Sequence, residues 1–117
     1  MKLGPMQRDW LKALRSGDFK QCDGTLYELD ESTGIYSNCC LGVACQVAEA
    51  HGKIVPASAV DYAFLPISIK NAFGFKDTHG YVGPGRSLSG MNDGGRTFKE
   101  IADFVEADPE RVFTKSA

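Results

Sequence analysis

The stretch from Tyr36 to Gly52, Tyr-Ser-Asn-Cys-Cys-Leu-Gly-Val-Ala-Cys-Gln-Val-Ala-Glu-Ala-His-Gly, is the longest apolar run in the chain and sets what the rest can fold around. Cys40, Val43, Ala44 and Val47 keep the i, i+3, i+4, i+7 spacing of a helix, and Leu41, Cys45 and Ala48 cover a neighbouring face. Only Gln46 and Glu49 are clearly polar. A helix that is apolar on most sides needs other segments around it, so this one is expected at the centre of the core. Ser37 or Asn38 is expected to cap it by accepting from the free N–H groups of the first turn, and Gly52 to stop it. Gly42 costs a helix about 1 kcal/mol relative to alanine. That cost is explained if another segment crosses closely there.

A chain of 117 residues has room for one core, and residues 1–117 are read as a single domain. The expected class is α+β: a helix-rich domain with the buried helix at its centre and a small antiparallel hairpin. A net charge of −2 lacks the basic balance that a nucleic-acid footprint demands. The sequence contains no apolar span of membrane length, and Met1-Lys2-Leu3-Gly4-Pro5 lacks the apolar region of a signal peptide. An unexported, cytoplasmic chain is therefore expected, with no membrane partner. Of Cys22, Cys39, Cys40 and Cys45, three crowd one helix instead of spreading into a framework, which suits reduced, buried thiols.

Trp10, Leu11 and Leu14 form one stripe of a helix from Met6 to Arg15, stopped by Ser16-Gly17. Thr25 to Leu29 and Ile35 to Ser37, joined by the turn residues Asp30 to Gly34, read as the hairpin. Residues 53–64 read as loop or a single turn. Pro66 suits the first position of a short helix with Ile69, Ala72 and Phe73 inward and Gly74 after its end. From Gly80 to Gly95 the many glycines leave no helix or strand period, and a long irregular segment in a small domain is often functional. Thr97-Phe98-Lys99-Glu100 is a capping box opening a helix with Phe98, Ile101, Ala102 and Val105 buried. Asp108 is expected to cap a last turn through Pro109 to Arg111, with Val112 and Phe113 folded back on the core.

Parts of this pattern match the residue requirements of four chemistries. A cysteine at a helix N-terminus has its pKa lowered and becomes a nucleophile when paired with a histidine, and Cys39 with His79 fits that outline. The order of the two resembles cell-wall peptidases of the NlpC type, although Asn38 stands where those have aspartate and Cys40 follows the nucleophile. Metal binding by Cys39, Cys40 and Cys45 with His51 or His79 is disfavoured, because adjacent cysteines on a helix point roughly 100° apart. No metal or other cofactor is expected. Gly80 to Ser87 matches the phosphate-loop spacing with Arg86 in place of lysine, but lacks the preceding strand and following helix of a nucleotide hydrolase. What survives is a set of phosphate-binding groups: Gly83 and Gly85 N–H groups, the Arg86 fork, the Ser87 hydroxyl and nearby Tyr81, joined by Asn92, Asp93 and the helix start at Asn38. A helix-turn-helix over Phe98 to Val112 is too short and too weakly basic to fill a major groove.

The chain as a whole resembles a group of small, mostly uncharacterised proteins encoded by bacteriophages and prophages. The resemblance rests on Trp10-Leu11-Lys12-Ala13-Leu14-Arg15-Ser16-Gly17 with Phe19 and Gln21, on Cys39-Cys40-Leu41-Gly42-Val43, on Leu65-Pro66, and on Met91-Asn92-Asp93-Gly94 with Phe98-Lys99-Glu100-Ile101-Ala102-Asp103. It implies a phage accessory protein acting inside the infected bacterium, with no catalytic assignment. By class-level analogy the target is a phosphorylated small molecule such as a nucleotide defence signal, or a host defence protein. A thiol hydrolase built on Cys39 and His79 is the alternative, and self-association is left open.

Overall fold

The computed structural model covers residues 1–117 and describes all of them except the side chains of Val60 and Asp61. Five helices enclose one core and two small sheets lie at its edges. The first helix, α1, spans Pro5–Ser16. Proline at its start sacrifices no bond, because the first-turn N–H groups have no partner inside the helix. Gly17 ends it in the left-handed region, at φ 79°.

The chain then forms a three-stranded sheet from β1 (Lys20–Gln21), β2 (Tyr27–Asp30) and β3 (Ile35–Asn38), in the order β1-β3-β2. The β2–β3 hairpin is antiparallel, with Leu29 opposite Tyr36. The parallel partner β1 was not expected, since two polar residues, Lys20 and Gln21, carry no strand period. Helix α2 (Cys40–Ala50) follows directly and is buried on nearly every turn. Its cap is Cys39, not Ser37 or Asn38: the thiol accepts from Gly42 N–H at 3.3 Å, while Ser37 and Asn38 remain in β3. A side chain at Gly42 would overlap the backbone carbonyl of Leu26, so the expected close crossing is the Leu26 segment that leads into β2. The same carbonyl accepts from Cys39 N–H at 3.0 Å, which fixes the two segments together.

A 3₁₀ turn at Ala57–Asp61 and helix α3 (Ile67–Phe73) complete the middle of the chain, with Pro66 just before α3 and Gly74 left-handed after it. The segment read as irregular, Gly80 to Gly95, is ordered: β4 (Tyr81–Gly83) and β5 (Arg86–Ser87) form a hairpin, and α4 (Leu88–Asp93) starts at once. Gly90 is a poor helix former, but burial of Leu88 and a Ser87 cap outweigh its propensity. Helix α5 (Phe98–Ala107) has both arms of the Thr97/Glu100 capping box, at 3.1 and 3.0 Å. The closing turn Pro109–Arg111 forms, but without a side-chain cap from Asp108.

Trp10 is fully enclosed by the edges and faces of Phe73, Phe75 and Phe113, with centroids 5.3–6.1 Å away. Its indole N–H donates to Cys40 C=O at 2.9 Å, which ties α1 to α2. Gln7, also fully buried, accepts from Gly4 N–H and donates to the carbonyls of Phe73 and Lys115. A single amide thereby joins α1, α3 and the C-terminal tail. Among the described residues no helix is long and apolar enough to cross a membrane.

Candidate functional site

The β4–β5 hairpin is built by local chemistry. The Asp77 carboxylate accepts from the N–H groups of His79 and Tyr81, both at 2.9 Å, and so aims the chain into β4. Pro84 and Gly85 make the turn, with Gly85 left-handed at φ 69°. Ser87 then accepts from Gly90 N–H at 3.0 Å and opens α4. The result is a cleft of about 340 Å³ lined by Gly85, Arg86, Ser87, Gly90, Met91, Gly94 and Arg96. Three of its seven lining residues are glycines, so part of its wall is bare backbone.

Two guanidinium groups border this cleft. Arg86 lies over the Phe104 ring at 5.5 Å, and Arg111 covers the same ring at 4.1 Å. Arg96, the second guanidinium of the lining, makes an exposed contact with Glu100 at 3.6 Å. Its carbonyl accepts from Gln21 Nε2 at 2.8 Å, which holds the backbone while leaving the side chain to solvent. Arg96 carried no motif in the sequence. The only signal was its place after Gly94-Gly95, at the mouth of the capping box.

The remaining expected site residues divide. Arg86, Ser87 and Gly85 line the cleft, whereas Tyr81 and Gly83 belong to the same hairpin but not to the lining. Asn92, Asp93 and Asn38 are elsewhere. Asn92 is buried and fully engaged: Oδ1 accepts from Cys40 N–H at 3.1 Å and from Gln21 Nε2 at 2.8 Å, and Nδ2 donates to Cys22 C=O at 2.7 Å. Asp93 accepts from Gly24 N–H at 2.9 Å. Asn38 is buried beside Gly42, with its Oδ1 unpartnered among the described residues. The anion site expected at Asn38-Cys39 is therefore filled from within: the Asn92 carbonyl takes the first free N–H of α2, and the Cys39 thiol takes the N–H of Gly42.

Cys39 and His79 do not form a pair. Burial pushes the Cys39 thiol up, against the opposing help of the backbone N–H groups around it. Cys40 rises well above an ordinary thiol for the same reason, and Cys45 is pushed up to about 12. His79 is exposed and rests against Phe64, 5.5 Å between centroids, with no hydrogen bond to any cysteine among the described residues. His51 Nε2 donates to the Asp9 carboxylate, 2.7 Å away. All four cysteines are free thiols. Among the described residues no three His, Cys, Asp or Glu side chains converge as metal ligands.

Comparisons with protein-family models, with curated proteins and with solved structures find no match to this chain.

Proposed function

We propose that this chain is a non-enzymatic binding protein whose glycine-walled cleft takes a phosphorylated small molecule. One observation carries the reading: Arg86 and Arg96 flank a wall of glycine backbone that also presents the Ser87 hydroxyl. Such a setting suits phosphate, because its oxygens take charge-assisted bonds from guanidinium forks and glycines let it approach the backbone closely. The Ser87 oxygen already accepts from Gly90, which leaves its O–H free to donate to a ligand. At about 340 Å³ the cleft is at the small end of ligand sites, suited to a phosphate with part of a sugar or base, the rest lying outside. Taken with the resemblance to phage and prophage proteins, the reading is a phage accessory protein that sequesters a nucleotide signal in the bacterial cytoplasm. The buried, high-pKa thiols support binding over thiol hydrolysis.

Denaturing the purified protein is expected to release an ultraviolet-absorbing, phosphate-containing compound, and a panel of nucleotides should include one that raises the melting temperature. Arg86→Ala and Arg96→Ala should each weaken that ligand by roughly 10- to 100-fold, the scale of one charge-assisted bond. A clean preparation that shows no thermal shift across the panel would sink the proposal.

A further inference from the structure

A cleft of about 810 Å³ lies far in sequence from the glycine-walled site, between α1 and the α5–Pro109 corner. Its charge is lopsided. Lys2, Arg8, Lys12 and Arg15 line it against Glu106 alone, in a chain whose acids outnumber its Lys and Arg by 15 to 13. Arg8, Leu11, Lys12 and Arg15 follow the i, i+3, i+4, i+7 spacing, so one face of α1 forms a basic wall about 10 Å long. Leu3, Leu11 and Pro109 supply the apolar part of the lining.

Two of the four cations are occupied within the fold. Arg15 is held by Asp103 at 2.8 Å and by Glu106 at 3.2 Å, and Arg8 donates to Leu3 C=O at 2.6 Å, which closes one lip of the groove. Lys2 and Lys12 are exposed and have no ion partner among the described residues.

We propose that this groove docks an acidic amphipathic helix of a partner protein. The occupant must be acidic because the unpaired charges are both cationic, and apolar on one side because leucine and proline line the groove. It must be helical because neither small sheet contributes to the lining, so an extended peptide would find no strand edge to satisfy its backbone. A nucleic acid would gain nothing from the apolar lining, and a lipid surface would not enter a concave groove. With only two turns of wall, the contact is well below the area of a stable dimer, so the binding is transient. This inference does not rest on the phosphate reading, and it is tested without nucleotide.

The test is a fluorescence titration of the whole protein with a labelled synthetic helix carrying Glu at i, i+4 and i+7 and Leu on the adjoining stripe. Micromolar binding that weakens with salt is expected. The double variant Lys2→Glu/Lys12→Glu should weaken it at least about tenfold while its circular dichroism and melting temperature stay those of the native protein, as expected for exposed side chains. Unchanged affinity in that variant would overturn the proposal. So would equal binding of a peptide with lysine in place of each glutamate, of a scrambled peptide of the same composition, of a DNA duplex, or of phosphatidylserine vesicles.

Discussion

The N-terminus of α2 and the glycine-walled cleft both use their backbone N–H groups within the fold, Gly90 giving its own to Ser87 and Gly94 to the Gly90 carbonyl, yet their side-chain donors end in opposite states. At α2 the donors are used up internally: Asn92 takes Cys40 N–H, the Cys39 thiol takes Gly42 N–H, and the carbonyl of Leu26 takes Cys39 N–H. At the cleft, Arg86 rests on an aromatic face, Arg96 has one loose contact, and the Ser87 proton is uncommitted. Buried donors must be satisfied by the fold, whereas donors facing solvent can wait for a ligand. The region with more chemistry in its sequence is thus committed to the fold, and the region with less keeps side-chain donors facing solvent.

That contrast predicts that substitutions near α2 cost folding and substitutions at the cleft cost binding. The largest effect is expected from Gly42→Ala, whose methyl group would overlap a main-chain carbonyl that cannot swing away. Overpacking against rigid backbone should cost about 3 kcal/mol or more, enough to leave much of the protein unfolded, as read from the urea midpoint. An unchanged midpoint would mean that the Leu26 segment does not cross α2 as described.

Asn92→Ala comes next. It removes a junction of three hydrogen bonds and leaves Cys40 N–H and Cys22 C=O without that partner in the interior. A loss of about 2–4 kcal/mol is expected from the unsatisfied groups. If Asn92→Ala proved stable and instead lost ligand, Asn92 would belong to the binding site after all, and the comparison would fail.

These two residues also show what the sequence could disclose. Gly42 was legible because its cost has a local sign: a glycine inside a strong helical pattern needs a reason, and close approach is the commonest. Helices α1 and α5 were legible through periodicity and through Gly17 and the Thr97/Glu100 box, which are local signals. Asn92 carries no local sign of its buried role. Its partners lie 52, 70 and 71 residues away, and no local pattern announces them. The same holds for α4, whose six residues are kept helical by the Ser87 cap and the burial of Leu88 more than by propensity. Cys39 shows the reverse error. The helix N-terminus promised a low thiol pKa, but burial, which sequence position does not reveal, acts in the other direction and is larger.

The thiols supply a pH test of the same region. Cys22 is pushed up to about 11 and Cys45 to about 12 from 9.0, chiefly by burial, and burial also raises Tyr27. Folding holds these acids in their neutral forms, so the stability they contribute is complete below their ordinary pKa and is lost as pH rises toward the folded values. The melting temperature should be flat at neutral pH and fall from about pH 9 upward. Cys45→Ala should flatten that fall, at a modest cost at pH 7. A wild-type slope left intact by Cys45→Ala would show that this thiol is not held neutral by the fold.

The smallest effect on folding is expected from Arg86→Ala, and it separates the two regions most sharply. The exposed guanidinium lies 5.5 Å over Phe104, an arrangement worth about 0.5–1 kcal/mol at a surface. Because Arg111 covers the same ring at 4.1 Å, Phe104 stays partly sheltered when Arg86 is removed. The loss should therefore stay within about 0.5 kcal/mol, near the limit of a denaturant melt. Ligand retention, by contrast, should fall by at least about tenfold if the guanidinium grips a phosphate. A folding loss as large as that of Asn92→Ala would make Arg86 a structural residue and remove the cleft's principal anion donor; a silent melt with lost retention is the outcome that the open donors at this cleft require.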